Sequence, residues 1–179
     1  LSEADAGFWR RYLDVVGTIP SPEQTEAFVA DETAGKRARL VDVLLETPGY
    51  ARHFSNRWGE VLIGNADSTN GREFVPGMFR QWLEGEFAKN ESYEKIVTQL
   101  ITSEGTVYTT PALNYFGRRN HSATDLAGSI SKNFLGVQIQ CAQCHDHPYE
   151  DITQRDFHRL PALWARPTQP PLNIPHHPL

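Results

Sequence analysis

Apolar residues recur at helical spacing along almost the whole chain. Phe8, Trp9, Tyr12, Leu13 and Val16 fall on one face of a first helix. Gly17 ends it and Pro20 blocks its continuation. Ser21-Pro22-Glu23-Gln24 is a helix start, with Ser at the cap, Pro at the first position and Gln three residues on. Ala27, Phe28 and Ala30 form the apolar side of that helix. A third helix is predicted from about Gly35 to Glu46, with Leu40, Val43 and Leu44 inward. Pro48-Gly49 punctuates the chain, and Tyr50 to Ile63 reads as a fourth helix.

Asn65 to Gly77 reads as a loop, rich in Gly, Asn, Asp, Ser and Thr and closed by Pro76-Gly77. Two helices follow, Met78 to Ala88 and Ser92 to Ser103. Trp82, Leu83 and Phe87 serve the first, and Tyr93, Ile96, Val97, Leu100 and Ile101 the second. Gly105 to Asn120 is expected to be irregular, with short extended pieces near Val107-Tyr108. Ser122 to Phe134 is a further helix, closed by Gly136. Thr153-Gln154-Arg155-Asp156 starts a short helix carrying Phe157, Leu160 and Trp164. No convincing strand alternation and no internal repeat appears. The expected fold is all-α: an irregular helical domain of six to eight helices over residues 1–166. Beyond it, 167–179 is an extended arm. Pro167, Pro170, Pro171, Pro175 and Pro178 exclude a helix or a central strand there.

Composition changes this picture little. A chain of 179 residues with 39% apolar residues can build a core without staples. The formal net charge of -5 comes with no basic block, which argues against a nucleic-acid partner. No apolar run is long enough to span a bilayer. The chain opens directly into a helical pattern and reads as a mature or excised segment, so the missing leader says nothing about compartment.

The two cysteines do change it. Cys141 and Cys144 are the only ones, so a disulfide framework is excluded. Cys141-Ala142-Gln143-Cys144-His145 is the attachment signature of c-type haem. Two thiols on one turn can reach the two vinyl groups of a single porphyrin, and the adjacent imidazole then sits under the iron as proximal ligand. Such attachment is made outside the cytoplasm, which points to a periplasmic or extracellular protein. Three other uses of the motif stay open. A zinc site wants four ligands, and Cys141, Cys144, His145, His147 and His158 are the nearby candidates. Non-haem iron is a second use. A redox dithiol is the weakest, because the βαβ context of thioredoxin-like sites is missing.

The distal iron ligand is open on sequence. Met78, His53, His121 and His147 are the candidates. For Met78 core filling is the plainer reading, and for His53, beside Arg52 and Arg57, a satisfied or surface histidine. His147 lies close to His145 in sequence and is more suited to a propionate or a second metal. Arg118 and Arg119 can pair with haem propionates, with ordinary surface charge as the alternative. His176 and His177 end the Pro-rich arm, which can rest on a neighbouring subunit or another partner. The carboxylates Asp146, Glu150, Asp151 and Asp156 suit a hard metal, but helix capping explains them more simply.

The stretch from Phe134 through Cys141-Ala142-Gln143-Cys144-His145-Asp146-His147-Pro148-Tyr149 resembles the hallmark of the planctomycete-type cytochrome-like family, domain of unknown function 1549. The continuation Thr153-Gln154-Arg155-Asp156-Phe157 resembles it too. So do Tyr12-Leu13-Asp14-Val15-Val16-Gly17, Ile19-Pro20-Ser21-Pro22-Glu23, Trp58 and Trp82-Leu83. The likeness covers about residues 8 to 164. It implies a secreted or periplasmic protein, one covalent haem c on Cys141 and Cys144, and His145 as proximal ligand. Electron transfer to an unidentified redox partner is the expected role. The alternative is a haem enzyme or sensor with an open distal site for peroxide or a small gas. No serine sits in a nucleophile-elbow context, so a hydrolase is not supported.

Overall fold

The computed structural model describes residues 3–64, 74–119 and 122–164. Among these residues the chain is all-helical, with nine α-helices and no strand. They are α1 (Glu3–Val16), α2 (Pro22–Ala30), α3 (Lys36–Leu45), α4 (Pro48–Ile63), α5 (Pro76–Ala88), α6 (Tyr93–Thr102), α7 (Asn114–Gly117), α8 (Ala123–Ile130) and α9 (Gln154–Ala162). The arm 167–179, most of the loop expected at Asn65 to Gly77, and His121, His176 and His177 lie outside the described residues. The chain folds as two compact units, Leu1–Arg118 and Arg119–Leu179.

The first unit is built by α1 to α7. Two of its helices, α2 and α6, start where a serine side chain satisfies a free backbone N–H group. Ser21 Oγ accepts from Gln24 N–H at 3.2 Å, and Ser21 N–H donates to Gln24 Oε1 at 2.8 Å, closing the expected capping box of α2. Ser92 caps α6 through Lys95 N–H at 3.3 Å. α4 packs along α5, and α1 packs on α3 and α4. Phe8, Tyr12, Phe28 and Leu44 form a buried cluster where α1, α2 and α3 meet. The Phe8 and Phe28 rings stack with centroids 4.3 Å apart. Farther along, Phe79, Leu83, Leu100 and Tyr115 are buried to 1% exposure or less. A cleft of about 830 Å³ opens among the ends of α3, α4 and α5, with Asp42, Glu46 and Glu84 beside Tyr50 and Phe87.

Three local expectations are corrected here. Pro48-Gly49 and Pro76-Gly77 are helix openings and not breaks: each proline is the first helical residue, where its missing N–H costs nothing. Val107-Tyr108 is not extended but lies in a turn closed by Thr109 N–H to Thr106 O at 3.1 Å. The stretch expected to be irregular, Gly105 to Asn120, holds among its described residues a 3-10 turn at Pro111–Leu113 and the four-residue α7. Asn114 stabilises that region from within. Its side chain is fully buried, takes Val75 N–H at 2.5 Å and donates to Pro111 O at 2.9 Å.

The second unit is built by α8 and α9. Ser122 Oγ caps α8 by accepting from Asp125 N–H at 3.2 Å. The helix expected from Ser122 to Phe134 is α-helical only to Ile130; Ser131–Leu135 widens into a π turn. Gly136 at φ +72° closes it, and Val137 N–H returns to Ser131 O at 3.2 Å. Ser131 is buried and its hydroxyl donates to Val137 O at 2.9 Å, pinning the exit. The core of this end is Ile139, Ala142 and Phe157, with Val137, Ile152 and Leu160 packed against it.

Candidate cofactor-attachment site

The cysteine motif sits on a 3-10 turn, Gln140–Gln143, with Cys144 as its C-cap. In a 3-10 turn residues three apart eclipse, about 2.0 Å of rise per residue. Cys141 and Cys144 therefore lie on one side, and both are free and exposed. Ala142 between them is completely buried under Phe157 and Ile139. The turn thus faces two ways: the alanine anchors it and the thiols point outward.

His145 is exposed, and its Nδ1 lies 2.6 Å from the carbonyl oxygen of Asp146. A carbonyl only accepts, so Nδ1 carries a proton, and in the neutral imidazole Nε2 keeps its lone pair. His147 is set the opposite way. Its Nδ1 accepts from Tyr149 N–H at 3.2 Å and Glu150 N–H at 2.9 Å. Its Nε2 then holds the proton and has no lone pair to give a metal. The two histidines of the motif are two residues apart and have opposite tautomers.

The loop after the motif is tied to the start of α9. His147 N–H donates to Ile152 O at 2.8 Å. Asp146 Oδ1 accepts from Gln154 N–H at 2.8 Å, and Gln154 Nε2 donates to Gln143 O at 3.1 Å. Thr153 and Asp156 form a capping box on α9. The carboxylates Asp146 and Asp156 therefore do serve as caps, while Glu150 and Asp151 are exposed. Hydrogen bonds from the Thr153 hydroxyl and N–H hold the Asp156 carboxyl below its ordinary range. A lowered folded-state pKa adds stability above the ordinary carboxylate pKa, and that stability is lost as pH falls through the folded value. The acid limb of the second unit's unfolding is thus expected to be shallower in Asp156→Asn, as circular dichroism across a pH series from 6 to 2 would report. Superimposable limbs would remove Asp156 from the cap's energetics.

The remaining candidates are distributed as follows. Arg118 Nε donates to Ile63 O at 2.9 Å within the first unit. Arg119 is half-buried. His53 belongs to α4, packs edge-on to Phe54 and against Gly17, and its Nε2 is buried without a hydrogen-bond partner. A Cβ on Gly17 would stand 2.2 Å from His53 Nδ1, so this approach requires glycine. Met78 is half-buried in the first turn of α5. His158 is exposed on α9, edge-on to Phe157. Among the described residues no group of three or more His, Cys, Asp and Glu side chains converges as a metal ion requires. None of their helices is long and apolar enough to cross a membrane.

Helices on both sides of a Cys-x-x-Cys-His turn define an all-α domain with an exposed dithiol-imidazole site. The chain belongs to the PSCyt2 family, described as protein of unknown function (DUF1549), whose model matches residues 2–168. No curated protein and no solved structure matches it.

Sequence reasoning missed Gln143 and Gln154. Neither residue type signals a role, and only the folded loop brings position 154 back to 143 and 146.

Proposed function

We propose that this chain carries one haem c, attached through Cys141 and Cys144, with His145 as proximal ligand, and works in electron transfer outside the cytoplasm. The observation that carries this reading is the state of the motif. Two exposed thiols share one face of a 3-10 turn, and the next imidazole offers a free Nε2. The donor set fits a haem: two thiols for thioether bonds and one nitrogen for the iron. A haem bound there would supply a one-electron iron couple. The chain's own residues do the rest. Ala142 anchors the turn, the Asp146 carbonyl fixes the imidazole tautomer, and no further cysteine competes for attachment.

Zinc fits less well, because it wants four ligands and the described residues gather fewer than three at any point. The tautomer of His147 supports a second reading, a haem with an open distal position, since it removes the nearest imidazole from contention.

Intact mass after maturation in a periplasm tests the proposal. The expected result is the polypeptide plus one haem, persisting through denaturation. The bare polypeptide mass, or a colourless zinc protein, would overturn it. A low-spin spectrum in both oxidation states then supports electron transfer. A high-spin ferric form that takes up cyanide supports the open site.

A further inference from the structure

We infer that Asp146 is a positioning residue for the proximal imidazole, and that it acts by tying that imidazole to the first turn of α9. The inference rests on the haem reading above. One residue makes two contacts of different kinds. Its main-chain carbonyl accepts the His145 Nδ1 proton at 2.6 Å. Its carboxylate accepts Gln154 N–H, at the first position of α9, at 2.8 Å. That N–H has no partner within its own helix, and a carboxylate is its favoured partner on electrostatic grounds. The Gln154 side chain adds a third strand by donating to Gln143 O at 3.1 Å, inside the cysteine turn. The imidazole, the cysteine turn and the helix are therefore held by one short network, although 143 and 154 are eleven residues apart.

This network predicts how the site responds when the carboxylate is removed. An N–H bonded to a carbonyl makes the imidazole more basic and fixes its ring plane, which favours the ferric state. Asp146→Ala leaves the carbonyl but frees it from α9. The reduction potential is then expected to rise by the equivalent of about a tenfold change in the ferrous-to-ferric balance, about 59 mV for one electron. Asp146→Asn keeps an oxygen that accepts from Gln154 N–H and is expected to restore most of the difference.

Gln154 separates the contacts. Gln154→Ala removes only the bond to Gln143. Gln154→Pro removes the N–H as well, at a helix position where proline is favoured. Thr153, at φ -80° and ψ 160°, already has the conformation that a following proline demands. The structure therefore expects the proline variant to shift the potential like Asp146→Ala, with α9 intact by circular dichroism, and the alanine variant to shift it less.

Wild-type potentials in both Asp146→Ala and Gln154→Pro, with haem attached by mass, would overturn the inference and leave the haem reading standing. A wild-type chain without haem would overturn the haem reading instead. The imidazole tautomer then decides, by nitrogen-15 NMR of the full haem-free chain. Loss of the Nδ1–H form of His145 in Asp146→Ala supports the positioning role, and an unchanged tautomer ends it.

Discussion

The Cys141→Ala, Cys144→Ala double variant is expected to lose all covalently bound haem while keeping its fold. Both thiols are exposed and neither belongs to the buried core. Surface changes of this kind usually move stability by no more than about 0.5 kcal/mol. The turn itself is held elsewhere, by Ala142 N–H to Ile139 O at 2.9 Å and by the buried Ala142 methyl. Thermal unfolding of the haem-free wild type and the haem-free double variant should therefore coincide. Each single variant keeps one thiol, and so one thioether and a mass that still includes haem. The comparison separates chemistry from structure. A double variant that unfolds would show that the cysteines hold the domain together, as a structural metal site would.

The same separation runs through what the sequence could reveal. Short-range signals read through cleanly. Ser21 with Gln24 and Thr153 with Asp156 mark helix starts within four residues, and both boxes form. The cysteine spacing is equally local, so the Cys-x-x-Cys-His motif is legible before any fold. Pro48-Gly49 and Pro76-Gly77 misled because the same dipeptide suits a turn and the first positions of a helix. Only the packing of α4 on α5, and of Gly49 on Val16, selects the helix.

The site's fine structure was illegible for another reason. The tautomers of His145 and His147 depend on which backbone groups the loop from 146 to 152 turns inward. That is decided by His147 N–H meeting Ile152 O, a contact with no residue-type signature. Residue types alone made His147 a metal candidate. Hydrogen-bond direction makes it a loop-forming residue. In the same way Asp146 carries its role through a main-chain oxygen, which any residue would offer, and a carboxylate, which few would.

Phe157→Ala is expected to be the most damaging single change near the motif. Phe157 is 1% exposed and packs on Ile139 and Ala142, the residues beneath the cysteine turn. Truncating a buried phenylalanine to alanine usually costs about 3–5 kcal/mol, from lost burial and the cavity left behind. The second unit is short and this cluster is small, so a loss of that size is comparable to the whole stability of many domains. Leu160, at the half-buried edge of the same cluster, should cost less when truncated. Hydrogen exchange read peptide by peptide is the suitable measurement. In Phe157→Ala, protection should fall at Ile139 to Cys144 and at the start of α9, while α1 to α5 stay protected. Unchanged protection across 139–144 would mean that the turn does not depend on this ring. In the haem-bound form the covalent mass should survive the substitution, because thioethers do not need the core. The setting of His145 should not survive it, because the network from Gln143 through Asp146 to Gln154 rests on a helix whose main anchor is gone.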